Sequence, residues 1–73
     1  MTLPNNYQKT YNITWSDGIF DKTEEATTMQ DAVKIAKDPL YWPIEISNYQ
    51  HMVTFISDGD SEMIFPYSEL KNL

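Results

Sequence analysis

From Tyr7 the chain alternates: Tyr11, Ile13 and Trp15 fall on one side, and Thr10, Asn12 and Thr14 fall on the other. A period of two marks a strand with one buried face. Asp17-Gly18 follows, a pair that tolerates positive φ and predicts a two-residue hairpin turn. Folding the chain there sets Trp15 opposite Phe20, Ile13 opposite Lys22 and Tyr11 opposite Glu24. The pattern then changes period. Met29, Ala32, Val33 and Ala36 recur at helical spacing and form one narrow apolar stripe. Thr27 and Gln30 fit a capping box at its start, Asp31 and Lys37 suit the helix dipole, and Pro39 stops the helix near Asp38.

Beyond the helix, the proline-bracketed "PLYWP" reads as a connector, and "IEIS" as a strand with Ile44 and Ile46 inward. Residues 48–51 either bend the chain or continue that strand, and "MVTFIS" and "EMIF" are two further strands. Between these two, "SDGDSE" repeats the earlier Ser-Asp-Gly. A four-residue loop from Asp58 to Ser61 sets Phe55 opposite Ile64 and Thr54 opposite Phe65, keeping the strands apolar and the carboxylates in water. A helix-flanked calcium loop would need its glycine sixth and oxygens where Met63, Ile64, Phe65 and Pro66 stand, so the segment reads as a turn. The closing "YSELKNL" is one helical turn capped by Ser68, or a tail. The expected fold is α+β: an antiparallel sheet of four to five strands in β-β-α-β-β order, with one helix packed on one face. Residues 1–6 are expected to be a flexible lead-in, and 7–73 a single domain.

At 73 residues without cysteine, the chain gains nothing from disulfides, and a lone histidine, His51, rules out a Cys/His zinc site. Stability has to come from packing. Eleven carboxylates against five lysines, with no arginine, give a net charge of −6. Such a field repels polyanions, which argues against direct nucleic-acid binding and against anionic membranes. The longest apolar runs are too short to span a bilayer, and Met1 to Asn6 carries neither the basic nor the apolar run of a secretory leader. A cytoplasmic location is expected.

Catalysis finds little material. His51 lacks a local nucleophile signature, Gly18 and Gly59 are the only glycines, and one helix over a small sheet rarely encloses the cleft that carboxylate pairs need. No enzyme activity, cofactor or metal is expected. Association is better supplied. Once one sheet face is buried by Trp15, Phe20, Ile13, Val53 or Ile56, and Phe65, the rings of Tyr7, Tyr11, Tyr41, Trp42 and Tyr49 are left over. Tyr and Trp are frequent interface anchors. Trp42 either folds back to cap the core below the helix end or joins Tyr41, rimmed by Asp38 and Glu45, in an aromatic-acidic contact surface. Asp21, Glu24, Glu25 and Asp31 around the helix start form a second patch, with spacing able to imitate phosphates.

The segment "FDKTEEATTMQDAVKIAKDPLYWPIEIS" resembles a strand, Thr-capped helix and strand unit in small phage-encoded proteins, among them inhibitors of host RNA polymerase and anti-CRISPR proteins. The resemblance implies a stoichiometric inhibitor of a nucleic-acid-handling host protein, working in the host cytoplasm, and carries over no functional residue. The expected function is therefore a small acidic binding module that occludes a basic surface, with Asp21, Glu24, Glu25, Asp31, Tyr41, Trp42 and Glu45 as contact residues. The alternative is an assembly protein that dimerises through an edge strand and exposed aromatics.

Overall fold

A computed structural model describes residues 9–73 of the chain, so the expected lead-in over residues 1–6 lies outside the described residues. β1 (Tyr11–Ser16), β2 (Asp21–Ala26), β3 (Val53–Ser57) and β4 (Glu62–Pro66) form a four-stranded sheet in the order β2-β1-β3-β4, with every neighbouring pair antiparallel. One helix, α1 (Met29–Lys37), lies on one face, and a single turn, α2 (Tyr67–Leu70), closes the chain. The fold is α+β, with strand and helix in the expected order.

The first hairpin departs from the expected register by two residues. Trp15 pairs with Lys22, Ile13 with Glu24 and Tyr11 with Ala26. The cause is the carboxylate of Asp17, whose Oδ1 accepts from the backbone N–H of Ile19 at 2.9 Å and of Phe20 at 2.8 Å. Wrapping two amides around one side chain makes a four-residue loop, which takes Phe20 out of the strand and leaves it exposed. Asp58 does the same for Asp60 and Ser61, and in each loop a serine Oγ accepts from the glycine N–H. Gly18 and Gly59 sit at φ +90 and +96, the left-handed region that costs a glycine little. The two Ser-Asp-Gly segments are thus one loop used twice. The second hairpin has the expected register, Phe55 with Ile64 and Thr54 with Phe65.

Thr28 rather than Thr27 caps α1, accepting from the N–H of Asp31 at 3.0 Å. The helix presents Ala32 and Ala36 to Ile13 and Trp15 of β1, Ala26 of β2 and Ile56 of β3, and its small side chains let it lie close to the sheet. At its end, Leu40 N–H turns to the Asp38 side chain, and the Ala36 carbonyl instead accepts both indoles, Trp15 Nε1 at 3.2 Å and Trp42 Nε1 at 3.0 Å. Both lone pairs of one helix-terminal oxygen are used.

The stretch after the helix is not the strand expected at "IEIS". Prolines 39 and 43 interrupt it, and it packs as short 3₁₀ turns (Pro39–Tyr41 and Tyr49–His51) joined by loop. Ile46 and Met52 are buried, while Ile44 points to solvent. Trp42 meets Tyr49 and Tyr67 edge-on, at centroid distances of 5.0 and 5.6 Å, and Leu70 of α2 is fully buried. The C-terminal turn therefore completes the core beneath the connector. A fully buried leucine is worth about 1.5–3 kcal/mol, a large share for a domain this small.

The other sheet face carries Asn12, Thr14 and Ser16 of β1, Asp21, Thr23 and Glu25 of β2, Val53, Phe55 and Ser57 of β3, and Glu62, Ile64 and Pro66 of β4. None of them is buried among the described residues.

Candidate partner-binding surface

Alternation along β2 decides where its charges go. Lys22, Glu24 and Ala26 face the helix side, as their partners Trp15, Ile13 and Tyr11 do. Asp21, Thr23 and Glu25 face the uncovered side and are exposed. Lys22 is half-buried: its amine donates to the Tyr41 carbonyl at 2.7 Å, lies 5.9 Å from the Trp15 ring, and is 3.6 Å from Glu24. Its charge serves to tie β2 to the connector. Lys9 pairs with Asp58 at 3.2 Å, Lys37 donates to the Leu73 carbonyl, and Lys71 lies over the Tyr67 ring. Lys34 alone has no ion-pair, hydrogen-bond or ring contact among the described residues.

The carboxylates are placed differently. An open groove of about 470 Å³ runs between β2 and α1, lined by Glu25, Asp31 and Asp38 with Lys34, and with Ile35, Tyr41 and Ala26 as its apolar part. Glu25, Asp31 and Tyr41, separated by up to 16 positions in sequence, come together there because α1 runs back antiparallel along β2. Asp21 continues the acidic line along the outer side of the strand, whereas Glu24 is turned toward the helix side and spent on Lys22. Glu45 is exposed on the connector.

Trp42 is not a contact residue. It is only 8% exposed, bonded to Ala36 and enclosed by Tyr49 and Tyr67, so its place in the expected contact surface is corrected to the core. Tyr41 is half-buried and parallel to the Trp15 ring at 6.5 Å, with one side on the groove. The connector's exposed apolar residues are Leu40 and Ile44, each 89% exposed and flanked by Asp38 and Glu45. Alternation in "IEIS" hides Ile44, because it places that residue at an inward strand position. The signal was present in Pro43, which ends one turn and cannot donate to a ladder.

In the acidic loop, Asp58 accepts two backbone N–H groups on one oxygen and Lys9 on the other. Those donors hold its carboxyl far below the usual range, the backbone N–H groups of Asp60 and Ser61 acting most strongly and Lys9 next. Asp17 is lowered likewise by the N–H groups of Phe20 and Ile19. Both carboxylates are spent on turn geometry. Among the described residues, no group of three or more His, Asp or Glu side chains is arranged to hold a metal ion. No described helix is long and apolar enough to cross a membrane.

No family model matches the chain, and comparisons with curated proteins and with solved structures return no match.

Proposed function

We propose that the protein is a small, non-enzymatic binding module that engages a basic protein surface through the acidic margin formed by β2 and α1. In this reading it acts as a phage-type inhibitor in the host cytoplasm, covering the ground on which its partner would hold nucleic acid. The observation that carries the reading is a local excess of carboxylates, with Lys34 the one lysine in the groove. Four of the five lysines are engaged in ion pairs, hydrogen bonds or ring contacts, while Asp21, Glu25 and Asp31 stand exposed along one margin, with Asp38 in the same groove. Carboxylates ranged along a strand and a helix start offer a polybasic groove the sign it meets in a phosphate backbone. Ile35 and Tyr41 add apolar contact within the same groove.

Steering by this field makes association fast and salt-sensitive. The test uses a partner captured from a host lysate by the immobilised chain. Its association rate should fall steeply as salt rises, and should fall with the charge reversals Glu25→Lys and Asp31→Lys while Glu24→Gln has little effect. A rate indifferent to salt and to both reversals would remove the basis of the reading.

A further inference from the structure

Among the described residues the sheet has two free edges, of opposite character. The β2 edge is charged at four of its six positions, Asp21, Lys22, Glu24 and Glu25, the usual protection of an edge against strand addition. The β4 edge has a single charge, Glu62, followed by Met63 and Ile64, which are 38% and 55% exposed on opposite faces. No described segment runs along its outer side, since β4 ends the strand order.

The ladder tells which backbone groups that edge offers. Asp58 N–H donates to the Ser61 carbonyl, and bonded and non-bonded pairs alternate from there. Met63 and Phe65 therefore spend their backbone groups on β3, while those of Glu62, Ile64 and Pro66 point away from the sheet. Pro66, which has no N–H, falls at a position where β3 asks for none.

We propose that two copies of the chain pair antiparallel through β4 about a two-fold axis at Ile64, making one eight-stranded sheet with an acidic β2 edge at each far end. In this register Ile64 exchanges both backbone hydrogen bonds with Ile64 of the second copy, and Glu62 N–H meets the Pro66 carbonyl at either side. All three outward positions are used, and Pro66 is needed only as an acceptor. Side chains agree with the backbone. On the open face, Phe55 and Ile64 of each copy join into one apolar row flanked by Thr14 and Thr23. On the helix side, Met63 lies beside Phe65 of the second copy.

Charge selects this register over its neighbours. Each copy carries −6, so pairing has to keep carboxylates apart. With Glu62 opposite Pro66, the two Glu62 side chains lie four residues apart, about 13 Å along the strands and beyond a Debye length of about 8 Å. A slip that centred the pair on Met63 would bring them to about 8 Å. Pairing through β2 would set several carboxylates of one copy against those of the other. The dimer leaves both acidic margins free, which makes the assembly bivalent toward the partner proposed above.

Sedimentation velocity on the full chain over a wide concentration range should give a species of twice the 8.5 kDa chain mass. Ile64→Lys, which places two ammonium groups at the axis, should return the mass to that of one chain, while Ile44→Lys, equally a surface change, should not. The register is read by cysteine, because the chain has none of its own. Ile64→Cys should cross-link under mild oxidation, since bonded-pair Cα atoms lie about 5.5 Å apart, inside the disulfide range. Met63→Cys, with Cα atoms about 8 Å apart, should not. Raised salt should tighten this dimer by screening like charges, the reverse of its effect on the basic partner, so the two claims fail separately. A chain that stays monomeric at every concentration, a doubled mass that survives Ile64→Lys, or faster cross-linking through Met63→Cys would each overturn the proposal.

Discussion

Replacing both tryptophans by phenylalanine should cost more than the two single replacements added together. The Ala36 carbonyl has no backbone donor, because the N–H four residues on, that of Leu40, bonds the Asp38 side chain. Trp15 and Trp42 fill its two lone pairs from opposite sides, one from β1 and one from the connector. In either single variant the carbonyl keeps one indole, and the loss is one neutral hydrogen bond, about 0.5–1.5 kcal/mol, plus the void left by the smaller ring. In Trp15→Phe/Trp42→Phe a fully buried carbonyl has no donor at all, which adds a desolvation cost of about 1–3 kcal/mol. The coupling should thus be at least about 1 kcal/mol, within the range seen for residues sharing a hydrogen-bond network. Total stability for this length is about 4–11 kcal/mol, so the double variant approaches unfolding and the cycle belongs in an excluded osmolyte such as TMAO. The assay is urea unfolding followed by far-UV circular dichroism, since the double variant has no tryptophan to report. Additivity within about 0.5 kcal/mol would refute the shared-acceptor reasoning.

Thr54 is fully buried and its hydroxyl has no hydrogen-bond partner among the described residues, so Thr54→Val should raise stability by about 1 kcal/mol and the melting temperature by about 4–8 °C; an unchanged or lower value in a thermal scan would count against it. Gly18→Ala and Gly59→Ala meet no atom within 4 Å, so both should cost only the left-handed backbone penalty, about 1–2 kcal/mol, and by nearly equal amounts; a clear inequality in urea midpoints would show that the loops differ. Asp17 and Asp58 have folded pKa values below their unfolded ones, so their contribution is complete above about pH 4 and is lost as pH falls below it. The urea midpoint of the native chain should therefore drop more on acidification than that of Asp17→Ala/Asp58→Ala, and parallel drops would refute this.

Legibility in the sequence followed the strength of local periodicity. The α1 stripe of Met29, Ala32, Val33 and Ala36 and its stop at Pro39 carry enough information to place the helix, and alternation places all four strands. The second hairpin was legible because its loop residues, Asp58 to Ser61, are all polar or glycine and do not invite inclusion in a strand. The first was not, although it is built identically, because Ile19 and Phe20 are apolar and alternation invites them into the strand; the capture of their N–H groups by Asp17 overrides hydrophobicity. The connector was illegible for a different reason. Between Pro39 and Met52 no period holds, and the positions of Trp42, Ile46 and Leu70 depend on contacts with distant residues. The acidic margin was half legible: Glu25 and Asp31 do meet in one groove, but Glu24 is spent on Lys22 and Trp42 lies in the core.

The proposed inhibition is tested most directly by competition. A captured basic partner, first bound to a labelled nucleic acid, is titrated with the chain while fluorescence anisotropy follows release of the label. The account expects stoichiometric displacement by the native chain and much weaker displacement by Glu25→Lys/Asp31→Lys. A ternary complex, in which chain and nucleic acid occupy the partner together, would contradict it.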